Sequence, residues 1–149
     1  MNRAPHLLLV LAPYYPHLAA MLRDGAERAI SAAGATCEVM TVPGAFEIPA
    51  AIALAARHAK GRFDGYVGLG CVIRGETTHY DHVCAESARG MQDLAARDGL
   101  AIGFGILTVE NEAQALVRAA PDGRDKGGEA TRACLALIEL KRHFLGNKR

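Results

Sequence analysis

The run VIRGETTHYDHV (Val72–Val83) gathers an arginine, a glycine, two threonines and two histidines within a dozen positions. A glycine followed by hydroxyl residues at a helix start can hold phosphate through backbone N–H groups and the helix dipole. Thr77 or Thr78 acting as an ordinary N-cap accounts for the same residues. Histidine both takes and gives protons near neutrality, which makes His79 a candidate for proton transfer. His79, Asp81, His82 and Cys84 can also be read as metal ligands. Consecutive helix positions do not share a face, however, and only His79 and His82 have i,i+3 spacing, so no metal site is expected.

Other segments carry chemistry of the same kind. VPGAFEIP (Val42–Pro49) frames a glycine with two prolines, which stiffens the backbone and presents Phe46 and Glu47 at a helix start. APYYP (Ala12–Pro16) offers Tyr14 and Tyr15 as an exposed pair on a loop, and TVENE (Thr108–Glu112) follows a segment containing Phe104. Tyr14, Phe46 and Phe104 fit a stacking platform as well as they fit a core. Arg118 and Lys126 could meet an anionic substrate or simply answer a helix dipole.

These loops need strands to hold them. His6–Ala12, Thr36–Val42, Gly65–Ile73 and Leu100–Val109 are short apolar runs suited to strands buried on both faces. The glycines of the third run predict close approach by another group. Between the strands, helical spacing runs from Pro16 to Gly34, from Ile48 to Lys60 and from His79 to Asp98, with Gly61 and Gly99 as stops. Asn111 is the expected N-cap of a helix reaching Ala119. The turn-rich PDGRDKGG (Pro121–Gly128) then reads as a linker to a last helix from about Glu129 to Phe144. Strands alternating with helices predict an α/β protein, a flavodoxin-like three-layer α/β/α sandwich on a four-stranded, mainly parallel sheet. Its ligands belong at the carboxyl ends of the strands.

Composition narrows the function classes. The 149 residues suit a single domain spanning 1–149, and 50% hydrophobic content is enough for a core without a disulfide or metal staple. A formal charge of +1 argues against nucleic-acid binding, which usually shows a basic stripe. No apolar run approaches the ~20 residues of a membrane span, and no secretory leader is visible, so a cytoplasmic protein is expected. The four cysteines show no C-x-x-C spacing and read as buried small hydrophobes or free thiols.

Taken together, VPGAFEIP, LGCVIRGETTH, FGILTVEN and the R-x8-G pattern from Arg118 to Gly127 closely resemble the lumazine synthase family, from about His6 to Leu140. The resemblance implies a transferase of riboflavin biosynthesis working without cofactor or metal. It would condense 5-amino-6-(D-ribitylamino)uracil with 3,4-dihydroxy-2-butanone 4-phosphate, releasing phosphate and water. It also implies a homopentamer with sites between adjacent subunits, which in some members assembles further.

By the same resemblance, Tyr14 takes the place of an aromatic that stacks on the pyrimidine, where Phe or Trp is usual. Ala45, Phe46 and Glu47 match the segment holding the ribityl chain and ring. Cys71, Val72 and Ile73 match the segment that hydrogen-bonds the uracil edge, with Cys71 where Thr is common. Glu76 and Thr77 match the phosphate-contacting turn, and Arg118 the phosphate-binding arginine, with Lys126 nearby. His79 matches the proton-transferring histidine. Phe104 and Arg118 are expected from the neighbouring subunit. A non-catalytic shell protein would have no use for His79, Arg118 and Phe104 together, and an ordinary flavin carrier would lack the paired His79 and Arg118.

Overall fold

The computed structural model describes residues 3–146, so the expected domain span 1–149 runs past it at both ends. Strand β1 (His6–Leu11) leads to helix α1 (Pro16–Ala32), then β2 (Thr36–Thr41), α2 (Ile48–His58) and β3 (Gly65–Ile73). Helix α3 (His79–Ala96), β4 (Ile102–Val109), α4 (Glu112–Ala119) and α5 (Lys126–Gly146) follow. A 3-10 turn at Ala45–Glu47 precedes α2. The strands lie in the order β2-β1-β3-β4, and every pairing is parallel. This is the expected flavodoxin-like sandwich.

Alternation along β1 builds a core on each face of the sheet. Leu7, Leu9 and Leu11 join Leu18, Leu22, Ala26 and Ile30 of α1, Ala115 and Ala119 of α4, and Ala130, Cys134 and Ile138 of α5. Leu8 and Val10 join Ile48 and Ile52 of α2 and Val83, Met91 and Leu94 of α3. Each fully buried leucine of this strand contributes about 1.5–3 kcal/mol.

The glycines of β3 do admit close approach, but by this chain's own helices. Gly65 faces Cys134 and Ile138, and Gly68 faces Ile48 and Met91. Contact is closer still along α5, where a Cβ at Gly103 would overlap the Ala130 carbonyl and one at Gly127 the Leu22 carbonyl.

Most expected boundaries hold within a residue or two, and Pro16 occupies the first turn of α1 as expected. The exception is α5, which starts at Lys126 rather than near Glu129. Asp125 adopts a left-handed φ of 48° and its Oδ1 accepts from the Gly128 N–H at 3.2 Å, so it starts the helix. Gly127 and Gly128 therefore belong to the helix, placed there by tight packing rather than by turn formation. All four cysteines are free thiols, with Cys71 and Cys134 buried. Among the described residues, no helix is long and apolar enough to cross a membrane.

Candidate active site

The strand order reverses direction between β1 and β3, and in open α/β sheets a crevice forms outside the carboxyl ends at such a point. A cleft of about 640 Å³ opens there. Cys71, Val72 and Ile73 supply its floor as β3 emerges from the core, Cys71 buried and the next two half-buried. One wall is the loop after β1, where the Tyr14 and Tyr15 rings meet edge to face at 5.0 Å. Tyr15 is half-buried and packs on the core, contrary to the exposed pair read from the sequence. Tyr14 is 71% exposed.

The second wall is the stiffened segment after β2. Pro43, Gly44 and the 3-10 turn present Ala45, Phe46 and Glu47, and the Glu47 N–H closes the turn on the Gly44 carbonyl at 3.1 Å. Phe46 remains 54% exposed at the cleft edge. The third wall is the start of α3, with Gly75, Thr77, His79, Tyr80 and Val83. Thr78 stands at the N-cap position, yet its own side chain makes no capping hydrogen bond. Instead, the His79 N–H donates to Thr77 Oγ1 at 3.3 Å. Helices α1 and α2 also begin beside the cleft without a capping side chain. Few backbone donors are left over at these starts, since Pro16 and Pro49 carry no N–H and the Ile48 N–H reaches the Ala45 carbonyl.

Electrostatics define what the cleft can do by itself. Burial, with Cys84 adding, pushes the Cys71 thiol up to about 11, so Cys71 is a neutral wall and not a thiolate nucleophile. Burial first, then Tyr14 and Cys71, also raises the Tyr15 phenol. Among the described residues, Glu47 is the carboxylate of the lining, and no lysine or arginine lines it.

The cleft thus gathers Tyr14, Ala45, Phe46, Glu47, Cys71, Val72, Ile73, Thr77 and His79 from one chain. Glu76 sits between two lining residues but is not itself part of the lining. Phe104, Arg118 and Lys126 lie elsewhere. Phe104 pairs with Gly68 in mid-strand, on the edge strand β4, and is 44% exposed. Arg118 donates to the Gln114 carbonyl of its own helix at 3.1 Å, and Lys126 meets Glu129 at 3.0 Å. The sequence reading gave no binding role to Tyr15, Tyr80 or Val83. Tyr80 was discoverable, since a residue next to His79 in a first helical turn shares its end of the helix.

Fold and cleft together define an α/β protein of the flavodoxin-like architecture, with its candidate site at the switch point of a parallel sheet. The family profile for 6,7-dimethyl-8-ribityllumazine synthase matches residues 4–142. A 6,7-dimethyl-8-ribityllumazine synthase of Sphingopyxis alaskensis is 59% identical over 139 residues, covering 93% of this chain and 96% of its own. That of Novosphingobium aromaticivorans is 58% identical, covering 92% and 96%, and the synthase 1 of Rhizobium meliloti is 53% identical, covering 96% and 95%. The chain belongs to the 6,7-dimethyl-8-ribityllumazine synthase family. Its reaction is the family's step in riboflavin biosynthesis, joining 5-amino-6-(D-ribitylamino)uracil to 3,4-dihydroxy-2-butanone 4-phosphate with loss of phosphate and water.

Proposed function

We propose that the single domain of residues 1–149 works in the cytoplasm as a ring, a homopentamer, in which each active site is shared by two neighbouring subunits. The observation that carries this reading is that, among the described residues, no lysine or arginine lines the cleft, although one substrate is a phosphate ester and phosphate departs. Arg118 with Lys126 nearby, and the exposed Phe104, are the matching groups, and in one chain none of them lines the cleft.

Tyr14 and the neighbour's Phe104 then sandwich the pyrimidine, and Ala45, Phe46 and Glu47 hold the ribityl chain. Cys71, Val72 and Ile73 offer backbone groups to the uracil edge. Glu76, Thr77 and the open start of α3 meet the phosphate together with the neighbour's Arg118. Imine formation, phosphate loss and ring closure each move a proton, and His79 takes and returns it. Arg118 stabilises the charge that develops on the departing phosphate. The nucleophilic amine and the carbonyl both belong to the substrates, so neither cofactor nor metal is required. Much of the rate comes from holding two reactants together.

The test uses two severely impaired single variants, His79→Ala and Arg118→Ala, co-expressed so that their chains mix within rings. About one interface in four then pairs an intact His79 with an intact Arg118, and activity returns to roughly a quarter of wild type. Rings assembled separately and mixed afterwards recover nothing. No rescue in verified mixed rings would place His79 and Arg118 in one chain's site and overturn the shared arrangement.

A further inference from the structure

The start of α3 holds His79, and its N-cap residue Thr78 gives the first turn no side-chain cap, leaving the Thr77 hydroxyl on the His79 N–H. An arginine outside the cleft lining adds a second hold on this turn. Arg74, just past the end of β3, lies with its Cζ 4.3 Å from the centre of the Tyr80 ring. Its NH1 reaches the Asp81 carboxylate at 3.4 Å and its Nε donates to Glu110 at 2.6 Å. Tyr80 and Asp81 directly follow His79, so one guanidinium grips the turn on which the histidine stands, by a ring face and a carboxylate.

The other end of the grip is rigid. The Arg74 N–H continues the β3–β4 ladder to the Val109 carbonyl at 2.9 Å. Glu110 begins the one corner near the cleft that is properly capped. Asn111 accepts from the Gln114 N–H at 2.9 Å, and Gln114 accepts in return from the Glu110 N–H at 2.8 Å. Arg74 therefore ties a sparsely capped turn to a fully capped one.

We propose that Arg74 is a positioning residue for this reaction, holding His79 at its proton-transfer position through Tyr80 and Asp81 from the anchor of Glu110. This rests on the reading of His79 given above. Fold stability has little stake in the contact, because Arg74, Asp81 and Glu110 are 43%, 59% and 56% exposed and such ion pairs contribute little. Geometry has more at stake, since displacing a reacting group by an ångström can slow a step about a hundredfold.

The test is a double-mutant cycle on the assembled enzyme, with Arg74→Ala and Arg74→Lys made alone and in His79→Ala. Arg74→Ala should lower kcat by about ten- to a hundredfold while KM for both substrates stays within about twofold. Ring mass and thermal midpoint should hold. Arg74→Lys should recover part of the rate, since it keeps the charge but not the planar, forked geometry. In the His79→Ala background, Arg74→Ala should change kcat by less than about twofold. Full kcat in Arg74→Ala, or an equal loss in both backgrounds, would overturn the proposal. So would a loss that tracks melting or ring dissociation. A selective rise in KM for the butanone phosphate would make Arg74 a phosphate contact instead. If His79→Ala kept its full rate, the parent reading would fall, and a slow Arg74→Ala beside it would show Arg74 acting through some other group.

Discussion

The two ends of the parallel sheet are built to opposite specifications. At the amino end, polar side chains close on one another. Asp64 accepts from the His6 N–H at 2.8 Å and from Arg3 at 2.9 Å, with Arg142 at 3.6 Å. His6 reaches Thr36 at 2.7 Å and Glu38 at 2.8 Å, Arg62 also binds Glu38, and Phe63 stacks on His6. At the carboxyl end, the N-cap residues of α1, α2 and α3 make no side-chain cap, and Tyr14 and Phe46 turn their rings outward. Groups satisfied within the chain stabilise the fold but have nothing left for a ligand. The difference teaches where this sequence spends its polar side chains on stability and where it leaves aromatic faces open at a cleft.

The sharpest way to break that division is at its carboxyl end. His79→Ala should slow turnover by about 10² to 10⁴, with substrate binding and thermal midpoint nearly unchanged. Stopped-flow binding and calorimetry check both halves, and a large loss of stability would mean that this end also carries structural weight. The mirror experiment is Asp64→Ala. It removes the acceptor of several charged or backbone donors and should lower stability by about 1.5–3 kcal/mol while kcat per folded chain stays constant. Urea titration beside an assay at low temperature measures the two effects separately.

The smallest effect concerns pH. Arg62 first, then His6, hold the Glu38 carboxyl below its ordinary value of 4.5. The native state therefore favours the ionised form, and this contribution is complete above the ordinary glutamate range. It fades as pH falls through the lower native value. Urea midpoints followed from neutrality into acid should fall less steeply in Glu38→Gln than in wild type. Identical acid limbs would leave Glu38 no part in holding the amino end.

Much of this was legible because period and punctuation are local. Alternating core faces, the Pro16 start of α1 and the Asn111 cap can each be read from a few neighbouring residues. The start of α5 could not, because Gly127 and Gly128 look like a linker until the carbonyl of Leu22 is seen against the first and the carboxylate of Asp125 against the second. Cleft residues such as Phe46 and His79 were legible because chemistry-bearing groups cluster directly after strands. The grip of Arg74 on Tyr80 and Glu110 was not, since an ion pair thirty-six positions apart exists only once β3 and β4 are paired. The separation of Phe104 and Arg118 from the cleft is likewise a fact of three dimensions. Their part in the site came from resemblance and not from spacing.

The contact of α5 with the sheet and with α1 has a consequence in the language of codons. Glycine is encoded by GGN, and every missense change from it adds a β-carbon. At Gly103 and Gly127 that atom would land on a backbone carbonyl, which no rotamer change can move aside. A cleft position such as Tyr14 can become phenylalanine by a single base change, TAY to TTY, and keep an aromatic face. Along the α5 seam no such stepping stones exist. The positions with least freedom to drift are therefore ones with no side-chain chemistry at all.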